Sequence, residues 1–205
     1  TPRSSWWQVV RSAVVAGLCA SAIVAPWTIR NTLLHHQFVF LLTTDSDDFW
    51  RGNNAFATGH SYFDETRIVL DVMPTEDLLD LQRQPDELAQ REWFSTHAWA
   101  FIRNNPDRFA RLTVTKFFYF WWFAPQSGVL YPPMWRLLYQ VYYVGALIFA
   151  FVGVRRLARD GGPPVAKAIV LGAFLLSLSA LQSLYYVEGR HRWAVEPMLL
   201  ALSGG

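Results

Sequence analysis

The sequence predicts an all-α polytopic membrane protein with about four transmembrane helices, the last truncated, and a large outer loop carrying two interfacial helices. Two patterns predict this. From Met134 to Val154 the only full charge is Arg136, and from Ala168 to Val187 there is none. A helix of about 20 residues, rising roughly 1.5 Å each, crosses a hydrocarbon core of about 30 Å, so each run can span. About ninety mostly polar residues, Arg30 to roughly Gln126, separate these runs from an apolar N-terminal stretch. The totals, 52% hydrophobic and 17% charged over 205 residues, fit a membrane protein or a greasy soluble domain, so it is the distribution that decides.

Residues 1–29 form the first expected span. Its apolar part runs from Val9 to Trp27, with Arg11 at the interfacial end and Cys19 as a small packing residue. A single cysteine excludes an intrachain disulfide. Thr1 is not methionine and no signal-type region precedes the first span, so an internal or C-terminal piece of a larger protein is expected. Residues 134–205 hold three further expected spans, near 134–154, 165–187 and 193–205. The last is about 13 residues and stops short.

The link from Arg155 to Lys167 carries four cations, Arg155, Arg156, Arg159 and Lys167, against Asp160, which places it on the cytoplasmic side. Arg3 and Arg11 then lie inside, and the 30–133 loop and the Glu188–Arg192 turn lie outside. The run from Phe109 to Phe123 could be mistaken for a span and would reverse this parity. Its central Lys116, short length and many aromatics favour a helix lying in the headgroup layer.

Within the loop, a first helix ending near Asn31 is followed by Phe38–Thr44, which is β-branched and aromatic enough to be extended. Asp45 to Gly59, with Gly52, Asn53 and Asn54, reads as turns. Pro85 and Asp86 open a helix near 85–104 whose apolar face is Phe94, Ala98, Phe101 and Ile102. Asn104-Asn105-Pro106 ends it and starts a second helix near 106–124.

Candidate sites follow from charge placement. Arg30, Arg190 and Arg192 put positive charge on the outer side, against the usual bias. They either bind a lipid-borne phosphate or snorkel to headgroups. Glu188 beside Arg190 and His191 would orient a cation for a ligand, and Lys116 could reach headgroups or a pyrophosphate. Asp45, Asp47 and Asp48 could in principle hold Mg²⁺ or Ca²⁺, but Phe49 and Gly52 break the EF-hand spacing, and an acidic turn is the simpler reading. His35-His36 lacks the partners of a zinc site. No motif calls for a cofactor, and no basic stripe points to nucleic acid. Most of the ten tryptophans fit an interfacial aromatic belt, while Trp50 and Trp99 could stack on a sugar or simply pack.

The phrases PWTIRN, FWRGNNAFATG, NNPDRFARLTVTKFFYFWW and GRHRWAVEPMLLALSG resemble the C-terminal part of bacterial GT-C glycosyltransferases. These are polytopic relatives of the protein O-mannosyltransferases and the lipid A aminoarabinose transferases. The resemblance implies an inner-membrane enzyme of the cell envelope that moves a sugar from a polyprenyl-phosphate donor to a lipid, glycan or protein acceptor on the extracytoplasmic face. It implies that Arg30, Asn31, Trp50, Gly52, Asn53, Asn54 and Gly59 help wall the cavity, and that Arg190 and Arg192 hold the lipid phosphate. The usual catalytic aspartate belongs to an earlier loop outside this chain. Asp45-Ser46-Asp47-Asp48 stands where relatives commonly carry glycine and asparagine. A membrane anchoring or assembly module is the alternative. A transporter fragment fits less well, because the spans offer little beyond Gly145, Gly172, Ser177, Ser179 and Gln182 at mid-membrane.

Overall fold

The computed structural model describes residues 6–128, 130–161 and 163–203, and it is all-helical. Arg3 lies outside the described residues, as does the side chain of Lys167. Among the described residues eight α-helices follow in order: α1 (Trp6–His35), α2 (Asp45–Gly52), α3 (Thr75–Gln82), α4 (Glu87–Asn104), α5 (Pro106–Trp121), α6 (Pro133–Asp160), α7 (Pro163–Gln182) and α8 (Glu196–Ser203). Short 3₁₀ turns occupy Val69–Val72 and Gly189–Ala194.

Two of the expected spans, α1 and α6, are long and apolar enough to cross a membrane. The apolar run in α7, Ala168–Gln182, is shorter. The segment expected as a fourth span instead begins as the second 3₁₀ turn and continues as the eight-residue α8. α8 packs along α6, and at Gly153 the backbones approach so closely that a Cβ would overlap the Leu202 carbonyl. Arg155, Arg156 and Arg159 belong to the last turns of α6, where cations favourably meet the negative end of the helix dipole.

α1 continues through Pro26 and ends only where His36 takes φ 54°, a left-handed C-terminal residue. The next segment, Phe38–Thr44, forms no strand. Its carbonyls are taken by α1 side chains: Trp27 Nε1 donates to Leu41 O at 3.0 Å, Thr28 Oγ1 to Phe40 O at 2.6 Å and Asn31 Nδ2 to Leu41 O at 2.9 Å. Those bonds replace the ladder an extended strand would need.

The loop carries its own apolar core of Trp50, Val69, Met73, Trp93, Phe94 and Ala98. The expected turn at Asp45 is therefore the start of a helix. Asp45, Asp47 and Asp48 face the positive end of α2, and Asp47 pairs with Arg51 one turn on at 2.7 Å. α4 starts one residue beyond Asp86, whose side chain caps it by accepting from the Ala89 N–H at 2.8 Å, so Pro85 precedes the helix. The apolar face expected on α4 turns inward, with Phe94 and Ala98 packed against α2. α5 buries Leu112, Lys116 and Phe120 at four-residue spacing while Val114, Phe117 and Phe118 stay exposed. Phe120 joins the second core, formed with Tyr143 and Ala150 of α6, Leu175 of α7, and Val187, Val195 and Leu199.

Candidate functional site

The tryptophan-glycine-asparagine phrase of the loop is a joint. Trp50 is buried in the loop core, and two residues on a Cβ at Gly52 would stand 2.5 Å from the Tyr185 carbonyl carbon and oxygen. Only glycine permits that approach. Asn53, fully buried, donates from Nδ2 to Leu184 O at 2.7 Å and to Phe49 O at 2.8 Å. Asn54 closes the turn, donating to Trp50 O and accepting from the Phe56 N–H. Gly59 takes φ 91° and accepts from the Val187 N–H at 3.0 Å. Together these residues fasten the loop to the segment after α7.

Lys116 locks the same joint from the α5 side. It is fully buried and donates to Gly52 O at 3.2 Å and to Asn53 Oδ1 at 3.1 Å. Burial alone pulls its ammonium down to about 7.

Fastening the joint places His60 and Ser61 beside Glu188. Ser61 Oγ donates to Glu188 Oε1, and Arg190 Nε reaches Glu188 Oε2 at 2.8 Å. The Glu188 N–H meets His191 Nδ1 at 3.1 Å. These groups open onto a cavity of about 1120 Å³. Its polar wall holds Arg51, His60, Ser61, Glu188, Arg190 and Arg192. The rest of its lining includes Leu130 and Tyr131 just before α6, Trp135 and Arg136 in the first turn of α6, and Trp193 of the second 3₁₀ turn; Leu130 is 76% exposed and Trp135 62% exposed. The cavity thus brings arginine side chains and exposed apolar side chains together beside the start of a candidate membrane span.

The four arginines differ in how their charge is used. Arg192 is 1% exposed, donates from Nη1 to Trp122 O and lies over the Phe123 ring at 4.4 Å and the Tyr143 ring at 5.2 Å. Its cation therefore caps the orphan carbonyls at the end of α5 inside an aromatic cage. Arg51 is paired with Asp47. Arg190 is held by Glu188, which raises its pKa, yet its side chain remains 59% exposed. The Arg136 guanidinium, its stem packed beside Gly128, has no hydrogen-bond or ion-pair partner among the described residues.

Of the residues singled out in the sequence, Glu188, Arg190 and Arg192 line the cavity. Trp50, Gly52, Asn53, Asn54, Gly59 and Lys116 build the joint behind it, and Lys116 turns inward, away from headgroups. Trp50 packs, and Trp99 is half exposed against Phe49 with centroids 5.4 Å apart. Arg30 stacks on Trp27 at 5.2 Å, and its Nη1 donates to Asn31 Oδ1 at 3.1 Å, both at the α1 clasp. His191 is half-buried, with its pKa lowered by burial. Sequence reasoning missed Arg51, His60, Ser61, Gln126 and Arg136. Only Arg136 carried a signal, as the lone charge of its span at the helix end where a cation is least favoured. Among the described residues no group of three or more His, Cys, Asp or Glu side chains is placed to hold a metal ion.

Compared with known families, with curated proteins and with solved structures, the chain matches none.

Proposed function

We propose that this chain is the donor-binding part of an integral-membrane glycosyltransferase of GT-C type. The enzyme takes a sugar from a polyprenyl-phosphate on the extracytoplasmic face of a bacterial inner membrane and passes it to a lipid, glycan or protein acceptor. One observation carries the reading: a single cavity is lined both by guanidinium groups and by exposed aromatic and aliphatic side chains. That pairing suits an amphiphile with an anionic head and a hydrocarbon tail. The tail leaves past Leu130, Tyr131, Trp135 and Trp193 onto the exposed Leu137, Leu138 and Val141 of α6.

In the displacement, bond breaking leaves negative charge on the phosphate oxygen, and Arg190 and Arg136 stabilise it. Glu188 and Ser61 fix the Arg190 guanidinium, so little side-chain freedom is lost as the head arrives. The carboxylate that accepts the acceptor's proton belongs to the parent protein outside this chain.

The test is binding of polyprenyl phosphate to the complete protein in nanodiscs, with neutral polyprenol as the control. Arg190→Ala and Arg136→Ala should each weaken phosphate binding about tenfold with unchanged folding. Equal affinity for polyprenol and polyprenyl phosphate would eliminate the reading.

A further inference from the structure

Among the described residues, three side chains on the cavity wall carry buried polar atoms without a partner: His60, Gln126 and, through its Nε, Arg192. His60, 3% exposed, accepts the Tyr62 N–H at Nδ1 over 3.2 Å, which leaves the ring proton on Nε2, and Nε2 is buried without a partner. Its surroundings keep it uncharged: burial holds its pKa at about 4, against an opposing pull from Glu188. Gln126, on the lining of the same cavity, leaves Oε1 buried without a donor.

Buried polar groups are normally paired, and unpaired donors together with an unpaired acceptor on residues lining one cavity define a complementary ligand. A phosphate offers acceptors only. It can answer His60 or the arginines, but never the Gln126 oxygen. A bare hydrocarbon tail answers neither. A neutral head group whose neighbouring groups both accept and donate, such as a polyhydroxylated ring, answers both.

We propose that His60 and Gln126 form a hydroxyl-reading subsite beyond the anion-binding arginines, one that selects the donor's sugar rather than its phosphate. This rests on the donor reading above. The lipid then lies in one direction only, with its tail at Trp135, its anion between Arg136 and Arg190, and its sugar against His60 and Gln126. Ser61 and Glu188 set the position of this corner by bonding to each other.

The test compares two probes on the complete protein in nanodiscs: polyprenyl phosphate, and the same lipid carrying a hexose. Both compete against a fluorescent polyprenyl phosphate. His60→Phe keeps a ring of similar size and removes the donor, and Gln126→Leu removes the acceptor at a half-exposed position that tolerates change. Each should lower affinity for the hexose-bearing lipid about tenfold and leave that for bare polyprenyl phosphate within about twofold. Arg190→Ala should weaken both probes alike. Should His60→Phe misfold, Gln126→Leu alone carries the comparison. Variants that lose both probes equally, or neither, overturn the subsite while the donor reading stands. If wild-type protein prefers neither phosphate-bearing lipid over polyprenol, both proposals fall.

Discussion

Replacing Gly52 with alanine adds one methyl group at the tightest approach between the loop and the C-terminal segment. That methyl would stand 2.5 Å from the Tyr185 carbonyl carbon and oxygen and 2.8 Å from the Tyr186 nitrogen. All three are backbone atoms, so no rotamer change can relieve the overlap. Forced overpacking costs about 1–3 kcal/mol. Moving the segments apart also stretches the bonds from Asn53 to Leu184 and from Val187 to Gly59, and stranding one buried partner adds about 1–3 kcal/mol. A total of about 2–6 kcal/mol corresponds to a fall in melting temperature of at least about 4 °C for a chain of this size. Trp50 and Trp93 in the adjoining core make tryptophan emission of the detergent-solubilised protein a direct readout. Gly145→Ala is the control, because nothing lies within 4 Å of its added Cβ in mid-helix, and it should hold or raise stability by about 0.5–1 kcal/mol. If Gly52→Ala melts with the wild type, the joint does not bear the weight assigned to it.

Lys116 gives a pH prediction. Its folded pKa is lowered from 10.5 to about 7, so across that window the unfolded chain binds a proton the folded one does not, and stability must rise with pH. Denaturation at pH 7 and pH 10 should show this rise, and Lys116→Met should flatten it. His60 works in the same direction lower down: stability present above pH 6.5 is lost as pH falls towards 4, which acid titration of the His60→Phe variant should reveal as a shallower decline. Arg192→Lys should destabilise by about 2–4 kcal/mol in thermal melts, since an ammonium cannot both cap α5 and stack on Phe123; an unchanged melt would show that its charge is free for a ligand. Asp86→Ala should cost about 1 kcal/mol by loss of the α4 cap, seen as faster amide exchange in that helix's first turn.

The sequence carried the helices wherever local signals were strong. α4 starts just after Asp86 and α5 at Pro106 because capping chemistry is written in neighbouring residues. α2 was hidden because Gly52, Asn53 and Asn54 are turn formers, and nothing local says that the acids before them lie on a helix terminus. Phe38–Thr44 has the composition of a strand, but its carbonyls bond to side chains of α1, a tertiary choice invisible to a local window. The candidate site was legible only in part. Glu188, Arg190 and Arg192 reach the cavity, whereas the glycines and asparagines of the same resemblance hold the wall up from behind. His60, Gln126 and Arg136 acquire meaning only when residues far apart in sequence share one space.

Asn53 and Leu184, whose bond helps close the joint, are separated by 131 positions. A ribosome adding about 5–20 residues per second needs on the order of ten seconds to cover that distance. Once Ala98 has been added, the loop's own core can form, while Gly52 and Asn53 still lack their final neighbour. The growing polypeptide therefore crosses a stage with the loop core formed and the cavity not yet closed, a natural point for quality-control proteases to act.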